Sequence, residues 1–117
     1  MVDGQEASAR WVIGFCAQWC GVCLEWRSAF DAVQVAHAQD SFAWIDVEDE
    51  AGLMGDIDVE TFPTLLVGRV GKVLFFGAVL PGAERLERLL TGLDPAGADA
   101  GTRGTRALLQ RIAARKL

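Results

Sequence analysis

Residues 11–17, Trp-Val-Ile-Gly-Phe-Cys-Ala, form an apolar, β-rich run, and a few residues later the pattern changes period. From Val22 to Ala38 the apolar positions are Val22, Trp26, Ala29, Phe30, Val33 and Ala36. Intervals of three and four put one face of a helix, about four turns long, against a core. The next run, Ser-Phe-Ala-Trp-Ile-Asp-Val at 41–47, again has strand character. A buried strand, a long amphipathic helix and a second strand admit few arrangements. The strands should pair in parallel, with the helix crossing one face of their sheet in the right-handed sense.

The rest of the chain extends this unit. Residues 51–59 have room for a short helix before a turn. Residues 63–70 and 72–80 read as two strands joined at Gly71-Lys72, an antiparallel hairpin that widens the sheet. Leu86, Leu89 and Leu90 share one face of a helix over 82–90, with Gly92 as its stop. The expected order is β-α-β-α-β-β-α, an α/β fold. Residues 94–105 are mostly Gly, Ala, Asp and Thr and read as a flexible linker. Residues 106–117 read as a basic amphipathic helix with Leu108, Leu109, Ile112 and Ala113 on one face. That helix either docks on the domain or offers its cations to an acidic partner or an anionic membrane surface. The expected division is a domain at 1–93, a linker at 94–105 and a C-terminal helix at 106–117.

Composition narrows the function classes. Of 117 residues, 51% are hydrophobic and 23% charged, enough for one packed core without metal or disulfide staples. Residues 1–94 carry six Lys/Arg against fifteen Asp/Glu, a net of −9, while residues 95–117 carry five against one, a net of +4. An acidic body argues against nucleic acid as a partner. No apolar run reaches 18 residues, so stable membrane insertion is not expected. The polar start, Met-Val-Asp-Gly-Gln-Glu, lacks the apolar stretch of a secretory signal, and a cytoplasmic location is the expectation.

All three cysteines, Cys16, Cys20 and Cys23, fall within eight residues. A structural zinc site takes four ligands. With the single His37 fourteen residues beyond Cys23, and no second Cys pair, no metal is expected. Redox chemistry or inert packing remains. Cys20-Gly21-Val22-Cys23 lies where the first strand gives way to the long helix. Unpaired N–H groups and the positive end of the helix dipole favour an anion there, so Cys20 is the candidate nucleophilic thiolate. A spacing of three puts Cys23 almost one turn on, able to attack a mixed disulfide at Cys20 as the resolving thiol. Cys16 reads as core packing, with a third redox-active thiol as the alternative. His37 reads as solvent-facing, and Trp11, Trp26 and Trp44 as cover for the core. Forty residues after the Cys pair, Thr-Phe-Pro-Thr at 61–64 opens a strand with a proline, trans in the ordinary case and cis in the rarer one.

Residues 10–93 together resemble the thioredoxin superfamily. The pieces are Trp19-Cys20-Gly21-Val22-Cys23, then 44–50, then the Phe62-Pro63-Thr64 stretch, then Gly77 on the last strand. The resemblance implies a three-layer α/β/α sandwich with a mixed sheet of about four strands, plus the C-terminal extension helix. It implies a thiol–disulfide oxidoreductase, with Cys20 and Cys23 catalytic and no cofactor. It also implies a substrate-binding rim of Trp19, Gly21, Val22, Phe62, Pro63 and Gly77, and a cis peptide at Phe62–Pro63. Expected partners are disulfide-containing protein substrates and a thioredoxin-reductase-like electron donor. The expected reaction is reduction of protein disulfides. An oxidant or isomerase using the same residues, and a binding or assembly-chaperone module with little turnover, are the alternatives. Gly14 stands where the family usually has a buried Asp, Trp44 where it has the partner Lys, and Val22 where it has Pro. Cys23 must then lose its proton to water or to another base.

Overall fold

The structure, a computed structural model, describes residues 9–94 and 96–116. Strand β1 (Trp11–Cys16) is followed by helix α1 (Gly21–Ala36), strand β2 (Ser41–Asp46) and the single turn α2 (Ala51–Met54). Strands β3 (Thr64–Arg69) and β4 (Lys72–Ala78) come next, then helices α3 (Ala83–Gly92) and α4 (Arg103–Lys116). The sheet order is β2-β1-β3-β4, with β1 parallel to β2 and antiparallel to β3, and β3 antiparallel to β4. The hairpin turns at Val70 and Gly71, where φ of +93° suits glycine, and Lys72 already belongs to β4.

The period-two alternation of β1 divides the core. Trp11, Ile13 and Phe15 face one side and pack with Ala43, Ile45, Leu66 and Val73. Val12 and Cys16 face the other and pack with Leu65 and Val67. Helix α1 covers this second face with the stripe Cys23, Trp26, Phe30 and Val33, joined by Leu86 and Leu90 of α3. Because both faces of β1 are covered, every one of its residues is buried. The result is a three-layer α/β/α sandwich on a mixed four-stranded sheet.

The first face is covered by α2 and, above all, by α4. Leu108, Leu109, Ile112 and Ala113 are buried there against Ile13, Phe15, Leu66 and Val73. The helix begins at Arg103, three residues before the position read from sequence. Reciprocal bonds between Thr102 and Thr105 explain the earlier start. The Thr105 N–H donates to the Thr102 hydroxyl (3.1 Å), and the Thr102 N–H donates to that of Thr105 (2.7 Å). Part of the expected linker is also held down. The Ala100 N–H donates to the Val73 carbonyl (2.7 Å), and the Val73 N–H to the Asp99 carboxylate (3.0 Å). Three of the five cations of α4 find partners within the chain. Arg111 donates to the carbonyls of Leu53 (2.9 Å) and Met54 (3.1 Å), Lys116 pairs with Glu50 (3.0 Å), and Arg106 pairs with Asp99. Among the described residues, no helix is long and apolar enough to cross a membrane.

At the end of the α1 layer away from Cys20, Arg10 holds Asp40 through two nitrogens (2.6 and 3.2 Å) and donates to the Leu90 carbonyl (2.7 Å). His37 is not solvent-facing as its sequence position suggested. Its Nε2 lies 2.6 Å from Glu87 of α3, and its side chain is only 15% exposed. The helix ends at Ala36, and His37, its C-cap residue, sits beside α3 with its ring on Glu87.

Candidate functional site

Strand β1 stops at Cys16 and α1 starts at Gly21, so residues 17–20 turn the chain from sheet to helix. Cys20 is the N-cap residue of α1, with extended backbone angles (φ −90°, ψ 109°). Its N–H donates to the Ala17 carbonyl (3.0 Å), and its carbonyl accepts from the Cys23 N–H (3.1 Å). Its sulfur makes no capping bond, and the first turn of α1 contains no acidic residue. Cys20 is half-buried and is the free thiol of the three.

Cys16 and Cys23 form a disulfide, with Cα atoms 5.8 Å apart, and each residue is 2% exposed. The motif implied a working pair at Cys20 and Cys23, with Cys16 as packing; in the structure Cys23 is bonded to Cys16 instead. Two periodicities meet to cause this. Cys16 shares the parity of Val12, so it points to the face that α1 covers, and Cys23 opens the buried stripe of α1. That signal is present in the sequence as strand parity plus helical stripe, and the Cys-x-x-Cys spacing masks it.

Trp19 is 67% exposed and stands edge-on to Phe62, ring centroids 5.6 Å apart. The Phe62–Pro63 peptide is cis, and the buried Pro63 accepts the Val79 N–H on its carbonyl (3.1 Å). Phe62 and Cys20 pack against the same apolar cluster as the disulfide. Gly21 and Val22 are exposed in the first turn of α1. Gly77 sits opposite Leu65 in the β3–β4 ladder and lines, with Thr61 and Thr64, a cavity of about 240 Å³. Trp19, Phe62 and Cys20 are thus gathered at one end of the sheet, while Gly77 opens onto a cavity of its own.

Position 14 has no room for an acid. A Cβ on Gly14 would lie 2.8 Å from the Trp26 ring and 3.1 Å from Phe30. Trp26, Phe30 and Trp44 form a mutual cluster with centroids 5.3 to 5.5 Å apart, and the Arg27 guanidinium lies 4.8 Å above the Trp44 ring. The rings occupy the volume that a carboxylate and its lysine would need. Trp26 Nε1 is buried there without a hydrogen-bond partner among the described residues, which costs about 1–3 kcal/mol. The carboxylates that share a cavity with the sulfurs come from the end of β2 and the turn after it. Asp46 and Asp49, with Arg27 and Trp44, line a cavity of about 340 Å³ that reaches Cys16 and Cys23. Asp46 is oriented by the N–H groups of Glu48 (2.9 Å) and Asp49 (3.1 Å).

A free thiol at the N-cap position of a helix, beside a disulfide buried under that helix, defines the class as thiol–disulfide oxidoreductase. The thioredoxin family profile matches residues 3–94, and the chain belongs to that family. Solved structures share the fold. Deadhead, a germline-specific thioredoxin of Drosophila melanogaster, superposes with a TM-score of 0.66 at 22% identity, covering 80% of this chain and 88% of that one. Fasciola hepatica thioredoxin gives 0.61 at 22% identity, with the same coverage. Mitochondrial thioredoxin 3 of Saccharomyces cerevisiae, in its oxidised form, gives 0.63 at 22% identity, covering 78% and 85%. No curated protein sequence matches the chain.

Proposed function

We propose that this protein reduces protein disulfides by dithiol–disulfide exchange, with Cys20 as nucleophile and Cys23 as resolving thiol. The observation that carries the reading is the position of Cys20: a free, half-buried thiol at the mouth of a 16-residue helix, with Cys23 one turn on. In the fully reduced protein the Cys20 thiolate attacks a substrate disulfide, forming a mixed disulfide and releasing one substrate thiolate. Cys23 then attacks the Cys20 sulfur and releases the second. The protein has gained one disulfide and the substrate two thiols.

Trp19, Gly21, Val22 and Phe62 form the surface on which the substrate chain rests, with the buried Pro63 behind them and Gly77 on the cavity that Thr61 also lines. Two electrons from a thioredoxin-reductase-like protein restore the dithiol, in a reducing, cytoplasmic compartment. With glycine at position 14 and tryptophan at position 44 in place of an acid and a lysine, the proton of Cys23 passes to water in the cavity bordered by Asp46 and Asp49.

The test is insulin reduction driven by dithiothreitol. Wild type should accelerate precipitation, and Cys20→Ser should fall to the uncatalysed rate, with Cys23→Ser severely impaired. No acceleration by wild type would leave a binding or chaperone role for the fold, which the loss of the buried acid favours.

A further inference from the structure

We infer that Cys16 is a third member of the exchange site: it takes the Cys23 sulfur from Cys20, so the oxidised protein hides its disulfide and keeps its nucleophile free. The inference rests on the reading of Cys20 as the nucleophile. It follows from where the three sulfurs sit. Cys16 and Cys23 are disulfide-bonded and 2% exposed, whereas Cys20 is half-buried at the helix mouth. The Cα separation of 5.8 Å is ordinary for a disulfide, so β1 and α1 as they are placed accommodate the bond.

Burial decides the route of the electrons. A protein disulfide or a protein dithiol cannot approach Cys16 and Cys23 at 2% exposure, but it can approach the half-buried Cys20. Oxidising equivalents therefore enter as a Cys20–Cys23 disulfide. The Cys16 thiolate then attacks the Cys23 sulfur; the Cys16–Cys23 bond forms, the Cys20–Cys23 bond breaks, and Cys20 leaves as a thiolate. No electrons are gained or lost, and the proton released by Cys16 is balanced by the one Cys20 can take up. The cavity lined by Cys16, Cys23, Asp46 and Asp49 gives water access for that exchange. Reduction runs the other way: Cys20 attacks Cys23, and the external donor meets the disulfide only after it has returned to Cys20.

This arrangement has a functional consequence. With Cys23 held by Cys16, Cys20 still attacks a disulfide substrate, but Cys23 is not available to release it. The oxidised protein then captures substrates as stable mixed disulfides instead of turning them over.

The experiment is thiol mapping of the full chain. Protein equilibrated with oxidised dithiothreitol is quenched in acid, blocked with N-ethylmaleimide and read by tandem mass spectrometry. All three cysteines lie between Arg10 and Arg27, on one tryptic peptide. The expected result is maleimide on Cys20, alone or shared with Cys16 as the disulfide exchanges. Maleimide on Cys16 with none on Cys20 overturns the inference and leaves the reductase reading intact. That reading fails separately, on absence of insulin reduction. Oxidised Cys16→Ala should carry no free thiol and form no mixed disulfide with glutathione, where wild type forms one. In Cys20→Ser, closure of the Cys16–Cys23 bond by oxidised dithiothreitol should slow on the order of tenfold or more, because the accessible thiol is gone. Closure at the wild-type rate overturns the relay.

Discussion

The two faces of the sheet are built differently. The face under α2 and α4 is mainly aliphatic, with Ile13, Ile45, Leu66, Leu108, Leu109 and Ile112 packed at almost no exposure around Trp11 and Phe15. The face under α1 and α3 holds the sulfurs, the Trp26–Phe30–Trp44 cluster and a buried indole N–H without a partner. One face stores stability in close-packed methyl groups. The other gives up some of it to keep thiols beside aromatic rings, with the helix mouth open to substrate. The chemistry depends on a face that it does not touch, since β1 belongs to both and carries Cys16 at its end.

Removing residues 103–117 breaks this comparison most severely. Ile13, Phe15, Leu66 and Val73 would lose their cover, and the remaining chain should show no cooperative thermal transition by circular dichroism. A truncated protein melting near the wild-type temperature would show that α4 is an accessory. Next comes Leu109→Ala, which empties a fully buried site on the same face. The expected loss is about 2–5 kcal/mol by urea titration, without change in the thiol map.

On the other face, Gly14→Asp restores the acid that the family usually carries and pushes it into the Trp26 ring. Crowding of this kind destabilises by about 1–3 kcal/mol, and burial of an unpaired carboxyl adds to it. An unaltered urea midpoint would mean that the aromatic cluster yields easily and that position 14 tolerates an acid. The smallest effect belongs to Asp99, where the C-terminal segment meets β4. The Gly101 N–H, then the Val73 N–H and Arg106, hold its carboxyl below the usual carboxylate range. A lowered value in the folded state contributes stability above the ordinary range and loses it as pH falls through the lowered value. Asp99→Asn should therefore lower the melting temperature slightly at neutral pH, and the difference from wild type should close in acid. A gap that widens in acid would contradict the assignment.

Much of the fold was legible because its signals are periodic. The stripe 26, 30, 33 named the face of α1, and the unbroken apolar run of β1 told of burial on both sides. Cys20 was legible as the exposed thiol because a strand-to-helix junction places it. Cys16 was harder. Its parity agreed with packing, and only the height at which α1 crosses β1 brings Cys23 to it. His37 was misread for a related reason: a polar residue just past the end of a helix can turn outwards or, as here, meet the neighbouring helix.

The sequence by itself determined the order of the elements, the inward-facing residues of each and the position of Cys20 at a helix mouth. Each of these depends on repeats within a few residues of chain. The tertiary structure decided which of two partners Cys23 takes, that Trp26 fills the space of an acid at position 14, and that α4 covers the second face of the sheet. Those outcomes turn on distances between segments far apart in the chain, where a shift of a few ångströms along a strand changes which side chains meet.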